Sequence, residues 1–189
     1  MFLKRIFDVV LAIVSLTIGW PFIIIIWLMA GVDTNSNGIF IQNRVGQFGK
    51  QFKIFKFRTL HLNTNKISKV GAFFRKYKLD ETPQLINILI GNMSFVGPRP
   101  DLPGYYDALK GENIKILQLK PGLISEAALK YANEEDLLAK QTNPLKYNDE
   151  VLFPEKVHLN LNYYYNQSFW GDIKLICKSI KEVLLNPHL

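Results

Sequence analysis

The sequence predicts a mainly helical α/β fold: an N-terminal membrane helix broken in its middle, then a compact domain carrying one short β-hairpin. Three observations predict it. Residues 9–30 hold no charged side chain. Two extended segments flank a Gly46-Gln47-Phe48-Gly49 turn. Beyond residue 66, apolar residues recur at helical spacing. Composition agrees with a packed domain. Of 189 residues, 48% are hydrophobic and 13% aromatic, which excludes a disordered chain. The length suits one domain with a sizeable core.

The uncharged run comes first. At about 1.5 Å per residue it reaches across roughly 30 Å of hydrocarbon. A cleaved secretory signal fits poorly, because the run is long and Gly31-Val32-Asp33-Thr34 follows it without a small-x-small site. A straight span is the other alternative. Pro21 counts against it, since it removes a backbone donor and crowds the carbonyl of Thr17. Positive charge also lies on both flanks: Lys4 and Arg5 before, Arg44, Lys50, Lys53, Lys56 and Arg58 after. The positive-inside rule places both ends in the cytoplasm. A helix broken at Pro21 has two limbs of half a bilayer each, and Ser15 and Thr17 can satisfy carbonyls freed at the bend. Residues 1–34 therefore read as a re-entrant, monotopic anchor, and 35–189 as a domain on the cytoplasmic face.

The remaining elements follow in order. Residues 38–44 and 52–59 read as the two hairpin strands. Ile67, Val70, Phe74 and Tyr77 predict a helix ringed by Lys66, Lys69, Arg75 and Lys76. A short helix starts near Asp80 and stops at Gly91. Residues 92–102, punctuated by Gly and Pro, read as an ordered loop. One or two helices are expected over 125–141, and Pro154 opens another toward Tyr165. Ile173, Ile176, Ile180 and Leu184 form the stripe of a last helix. Core packing is the plain reading of that stripe, and a membrane-surface helix with Lys174, Lys178 and Lys181 is the alternative.

The net charge of +7 points to an anionic partner: nucleic acid, a membrane surface or a phosphorylated substrate. The single Cys177 excludes an intrachain disulfide and a Cys-ligated metal site. His61, His158 and His188 show no ligand spacing. The basic, aromatic-laced residues 52–58 match no RNP, helix-turn-helix or zinc-finger pattern, so nucleic acid is not an expected partner.

Chemistry concentrates in residues 75–100. Asp80 and Glu81 are adjacent acids at a helix start. The plain alternative is an N-cap with a dipole-complementing neighbour. At such a cap, however, both carboxylates can face one cleft. Helix N–H groups and Arg75 would favour ionised Asp80, and an ionised carboxylate can attack phosphorus. Glu81 could then hold Mg²⁺, a hard cation that shares carboxylate and phosphate oxygens. Cations must offset the two acids against a diphosphate. Lys56 and Arg58 alternate along a strand and share a face. Arg99 is fixed between Pro98 and Pro100, and Lys120 sits in a Lys-Pro-Gly turn. The alternatives are a solvated strand face for the first pair and a surface ion pair for Arg99.

These pieces, in order, resemble the bacterial sugar transferase family, the small monotopic phosphoglycosyl transferases. The resemblance rests on Lys4-Arg5-Ile6-Phe7-Asp8 before the proline-broken helix, and on Asn43-Arg44-Val45-Gly46 leading to Lys56-Phe57-Arg58-Thr59. It continues through Leu79-Asp80-Glu81-Thr82-Pro83-Gln84-Leu85-Ile86-Asn87, the block from Gly91 to Gly97-Pro98-Arg99-Pro100, and Lys120-Pro121-Gly122. Asn166-Gln167-Ser168 and Asp172-Ile173-Lys174 resemble the family's closing segment. The resemblance implies that Asp80 is the nucleophile and that Glu81 supports Mg²⁺. It implies that a UDP-sugar donor loses UMP, and that polyprenyl phosphate, undecaprenyl phosphate in bacteria, accepts the sugar phosphate. It also implies a phosphate-binding role for Arg75, a re-entrant anchor in the cytoplasmic membrane, and a first step of surface-glycan assembly. Two departures stand out. Trp20 replaces the usual Ser before the break proline, and Leu123-Ile124-Ser125 replaces the usual Ile-Thr-Gly. Larger relatives add N-terminal transmembrane helices, so this chain is expected to be the minimal catalytic form. A glycosyltransferase releasing UDP and a non-catalytic membrane scaffold are the competing readings. The sugar and a homo-oligomeric state stay open.

Overall fold

The computed structural model describes residues 2–185; His188 lies outside the described residues. The first helix, α1 (Phe2–Thr34), runs through Pro21 as one element. Proline removes a single donor, and the other helical bonds continue on either side. The expected helix-break-helix is therefore a proline inside one helix, not a gap between two. The buried side chains of α1 are Asp8, Ala12, Ala30 and Thr34, and the two alanines let it lie close on the domain. Near the N-terminus, Lys4 pairs with Asp172, and the carboxylate of Asp8 accepts the Phe95 N–H at 3.1 Å. Near the C-terminus, Ala30 packs with Phe57 and Phe74, and the Thr34 carbonyl accepts from the Leu62 N–H at 3.1 Å. Both limbs are thus fastened to the same domain. The outer face, including Ile18, Trp20, Phe22 and Ile25, is apolar and exposed. Among the described residues, α1 is the one helix long and apolar enough to cross a membrane, with 6% of its most apolar window buried.

The hairpin pairs β1 (Ile39–Val45) with β2 (Gln51–Phe57), Ile39 opposite Phe57 and Val45 opposite Gln51. Its loop closes through a 3₁₀ turn, Gln47–Gly49, with Phe48 at φ 59° and Gly49 at φ 72°. Helix α2 (Lys69–Lys76) is capped by Ser68, whose Oγ accepts from the Gly71 N–H at 2.9 Å. The same hydroxyl donates to Asp33 at the end of α1. Gly71 is required because a Cβ there would stand 2.5 Å from the Thr59 carbonyl oxygen.

Helix α3 (Gln84–Leu89) is short, and side chains hold it at both edges. Asn87, fully buried, donates to the Lys53 carbonyl at 2.7 Å and accepts from the Phe55 N–H at 3.1 Å. Its amide thereby imitates a strand neighbour along β2. At the C-terminus of α3, Arg5 donates to the carbonyls of Ile88 and Leu89 at 2.7 and 2.9 Å, groups a helix end leaves unpaired.

Residues 92–102 contain a strand that the sequence reading places in a loop. Strand β3 (Ser94–Val96) pairs in parallel with β4 (Gly122–Ile124). Three residues are too few for alternation to show. Gly97 and Gly122 mark the contact, since a Cβ on Gly97 would lie 2.2 Å from the Lys120 carbonyl oxygen.

The C-terminal third holds α4 (Glu126–Lys130), α5 (Glu134–Ala139) and α6 (Pro144–Tyr147). A π-helical turn, Asn148–Leu152, leads into α7 (Phe153–Asn166), and α8 (Phe169–Leu185) follows. Leu175 and Ile176 of α8 pack on the core, whereas Ile180 and Leu184 are exposed. The expected core stripe is buried for its first turns alone, because α8 rests on β3 and β4 and outruns those short strands. The main apolar cluster, with Ala12, Ile54, Leu85, Ile88, Met93 and Phe95, lies where α1, β2, α3 and β3 meet.

Candidate active site

Helix α2 stops at Tyr77 because Lys78 adopts a left-handed conformation, φ 56°, uncommon for a residue with a Cβ. The reversal leads into a single 3₁₀ turn, Leu79–Glu81. The Glu81 N–H donates to the Lys78 carbonyl at 3.2 Å, and the Thr82 hydroxyl donates to the Leu79 carbonyl at 2.8 Å. Asp80 is therefore inside a turn and is not the N-cap of the next helix; Pro83 fills that position. Asp80 and Glu81 are each 8% exposed, a high burial for two adjacent acids.

Two cations converge on Glu81 from distant parts of the chain. Lys56 of β2 donates to Glu81 Oε1 at 3.0 Å. Arg99 spans the carboxylate, with Nη1 3.4 Å from Oε2 and Nη2 bonded to Oε1. Burial alone would raise the Glu81 carboxyl, but Arg99 and Lys56 overcome it and hold the group well below the usual range. Glu81 in turn holds the Arg99 guanidinium above its ordinary value. Burial lowers Lys56, with Glu81 opposing.

Asp80 behaves oppositely. Burial first and the Glu81 charge second push its carboxyl up to about 6, against the pull of Lys56, Lys78 and Arg75. The expected stabilisation of its ionised form by helix N–H groups and Arg75 is outweighed, because the site is more enclosed than a helix end in water. Its Oδ1 is buried and has no hydrogen-bond partner among the described residues. That oxygen is a free acceptor beside a neutralised carboxylate.

The other expected cations are placed differently. Arg75 donates from Nε to Thr59 Oγ1 at 2.9 Å and adds positive potential at Asp80. Arg58 lies past the end of β2, where it donates to the Ile39 carbonyl at 3.5 Å and covers the Phe40 ring. The alternation that puts Lys56 and Arg58 on one face ends with the strand, so Arg58 turns to the hairpin and not to the carboxylates. Lys120 donates to the Gly91 carbonyl at 2.7 Å, beside Arg5 at the opposite end of α3 from the acidic turn. There it binds the turn that follows the helix and stands outside the acidic cluster. Asn87, Asp8, Arg5 and Thr59, which the sequence reading quotes without giving them a role in the site, hold its surroundings in place. Asn87 alone carried a signal, an amide at the apolar centre of a helical stretch.

Among the described residues, no group of three or more His, Cys, Asp or Glu is gathered. Mg²⁺ needs less, because it takes one or two carboxylates and completes its shell with water and phosphate oxygens. The orphan Asp80 Oδ1 and the Glu81 carboxylate fit that donor set. The Glu81 carboxylate is already engaged by Lys56 and Arg99.

Sequence comparisons give the family. The family described as bacterial sugar transferase matches residues 1–186. An undecaprenyl-phosphate galactose phosphotransferase of Salmonella typhimurium is 30% identical over 210 aligned positions, covering 97% of this chain. A UDP-glucose:undecaprenyl-phosphate glucose-1-phosphate transferase of Escherichia coli is 31% identical over 97% of this chain. The chain spans 40% of the length of each of these two relatives. An uncharacterized sugar transferase of Bacillus subtilis, EpsL, is 30% identical over the whole chain and 91% of its own length. With relatives named as sugar phosphotransferases and a family match over nearly every residue, the chain belongs to the bacterial sugar transferase family, enzymes that transfer phosphoglycosyl groups.

Proposed function

We propose that the protein transfers a sugar-1-phosphate from a UDP-sugar to undecaprenyl phosphate, releasing UMP, through a covalent intermediate on Asp80. One observation carries this reading: in a single turn, Glu81 is clamped by two cations while its neighbour Asp80 keeps a buried oxygen without a partner. A carboxylate so placed is fit to be a nucleophile, because its Oδ1 is engaged by no hydrogen bond among the described residues. An oxygen of Asp80 attacks the β-phosphorus of the donor. The bond from that phosphorus to the α-phosphate oxygen breaks, and UMP departs with the electron pair. An oxygen of the lipid phosphate then attacks the same phosphorus, the bond from phosphorus to the Asp80 oxygen breaks to free the carboxylate, and the lipid leaves carrying the sugar through a diphosphate. Lys56 and Arg99 stand where charge on a transferring phosphoryl group needs neutralising. Mg²⁺, held by Glu81 with Asp80, would supply further neutralisation of the diphosphate when bound.

The same proposal covers the setting. The protein lies in the cytoplasmic membrane through a re-entrant α1, with the acidic turn on the cytoplasmic face. The support is that both limbs of α1 are fastened to one domain while its outer face is apolar and exposed.

Incubation of the purified protein with UDP-sugar donors in the absence of lipid tests the chemistry. Mass spectrometry should find a phosphosugar on Asp80 together with stoichiometric UMP, and Asp80→Asn should abolish both. Release of UDP in place of UMP, or an adduct on another residue, would overturn the mechanism.

A further inference from the structure

On the side of Arg99 away from the carboxylates lies a cleft of about 360 Å³, within the range of small-molecule sites. Among the described residues, its lining comes from Arg44 and from positions 99–160, with nothing from α1, α2 or α3. Arg99 is shared between the cleft and Glu81, and its side chain keeps 44% of its surface exposed. Arg44 stands nearby. One of its terminal nitrogens is 3.8 Å from Asp101, and its Nε is buried with no acceptor among the described residues. Further along, Lys156 is matched by Glu134 at 2.5 Å. The Tyr105 ring is held edge-on by Phe153, with centroids 5.0 Å apart, and the Asn148 amide donates to the Tyr105 hydroxyl at 3.3 Å. Leu145, 72% exposed, stands at the rim.

The cleft is thus positive where it meets the carboxylates and aromatic and amide-lined further out. We propose that it seats the nucleoside monophosphate half of the donor, the group that leaves, and this assignment rests on the phosphoglycosyl transfer proposed above. Three arguments converge. In-line displacement at phosphorus puts the leaving group opposite the attacking oxygen, and Arg99 separates this cleft from the acidic turn. Two arginines suit a phosphate, through bidentate guanidinium contacts, whereas a neutral sugar would make no use of their charge. Of the elements that pack on the apolar helix, only β1 reaches the cleft, through Arg44, and α2, α3, β2 and β3 contribute nothing, so a water-soluble product departs away from the path of a lipid acceptor arriving along α1.

Calorimetric titration of the detergent-solubilised full chain with UMP tests the assignment. Leu145→Trp should fill the cleft and weaken UMP binding at least tenfold, and Asn148→Ala should weaken it about threefold. Competition by inorganic phosphate should stay within twofold in both. Undiminished UMP affinity in both variants, or no UMP binding by the wild type, would overturn the assignment. Should Leu145→Trp melt early, Asn148→Ala decides. A parallel assay of UMP release separates the two proposals. Turnover that persists while the cleft variants bind UMP normally overturns the cleft alone. Absence of release from every UDP-sugar overturns the transfer reading, and loss of UMP binding in the variants still supports the cleft.

Discussion

The carboxyl of Asp80 shares a turn with that of Glu81, yet burial and the neighbouring charge push it from an ordinary 3.8 up to about 6. A nucleophilic carboxylate must be ionised. Formation of the phosphosugar adduct should therefore rise about tenfold per pH unit below about 6 and level off above it, and rapid-quench measurements across pH 4.5–8 would show this. The same shift bears on stability. Where the unfolded Asp80 is ionised and the folded one still binds its proton, between about 3.8 and about 6, stability falls as pH rises, and above about 6 the full penalty is present. Asp80→Asn removes that penalty. It should raise unfolding free energy by about 1–3 kcal/mol at pH 7.5 while abolishing adduct formation, and the gain should vanish near pH 4. Equal destabilisation at both pH values would contradict the assigned burial. The pairing of two acids was legible in the sequence, as was an arginine fixed between prolines. The direction of the Asp80 shift was not, because it depends on how deeply the turn is covered by residues far along the chain.

At the scale of elements, the acidic turn meets Lys56 because Asn87 binds α3 to the edge of β2. Asn87 is fully buried, so Asn87→Leu leaves the Lys53 carbonyl and the Phe55 N–H without its amide as partner. That change should cost about 2–4 kcal/mol, measured by chemical denaturation. It should also reduce turnover more than it weakens donor binding, since Lys56 would lose its fixed place beside Glu81. The hairpin, α2, α7 and α8 were legible from periodicity and turn residues, which are local signals. The β3–β4 pair was not, because three-residue strands carry no period, and their parallel pairing follows from the close approach of Gly97 and Gly122. The place of Lys120, on the Gly91 carbonyl and apart from the acidic turn, is likewise not carried by its Lys-Pro-Gly turn.

For the whole molecule, one long apolar helix is fastened at both ends to the domain that carries the acidic turn. A straight α1 of 33 residues would be about 50 Å long, more than enough to cross roughly 30 Å of hydrocarbon. Yet Lys4 pairs with Asp172 at one end and Asp33 with Ser68 at the other. Both contacts belong to the domain that holds Asp80 and Glu81. A perpendicular span would draw one of these polar contacts and its surrounding charges into lipid, at a cost of at least ~2.5 kcal/mol per charge. A helix that enters and leaves by the same face avoids that cost and still buries Ile18, Trp20 and Phe22. Cysteine labelling reads the difference. With the native, exposed Cys177 replaced by serine, single cysteines at Phe2 and Asn63 flank α1. An impermeant maleimide should label neither in intact cells and both in inverted membrane vesicles. Labelling of one position from outside would show that α1 crosses, and the acidic turn would then need another route to a lipid phosphate.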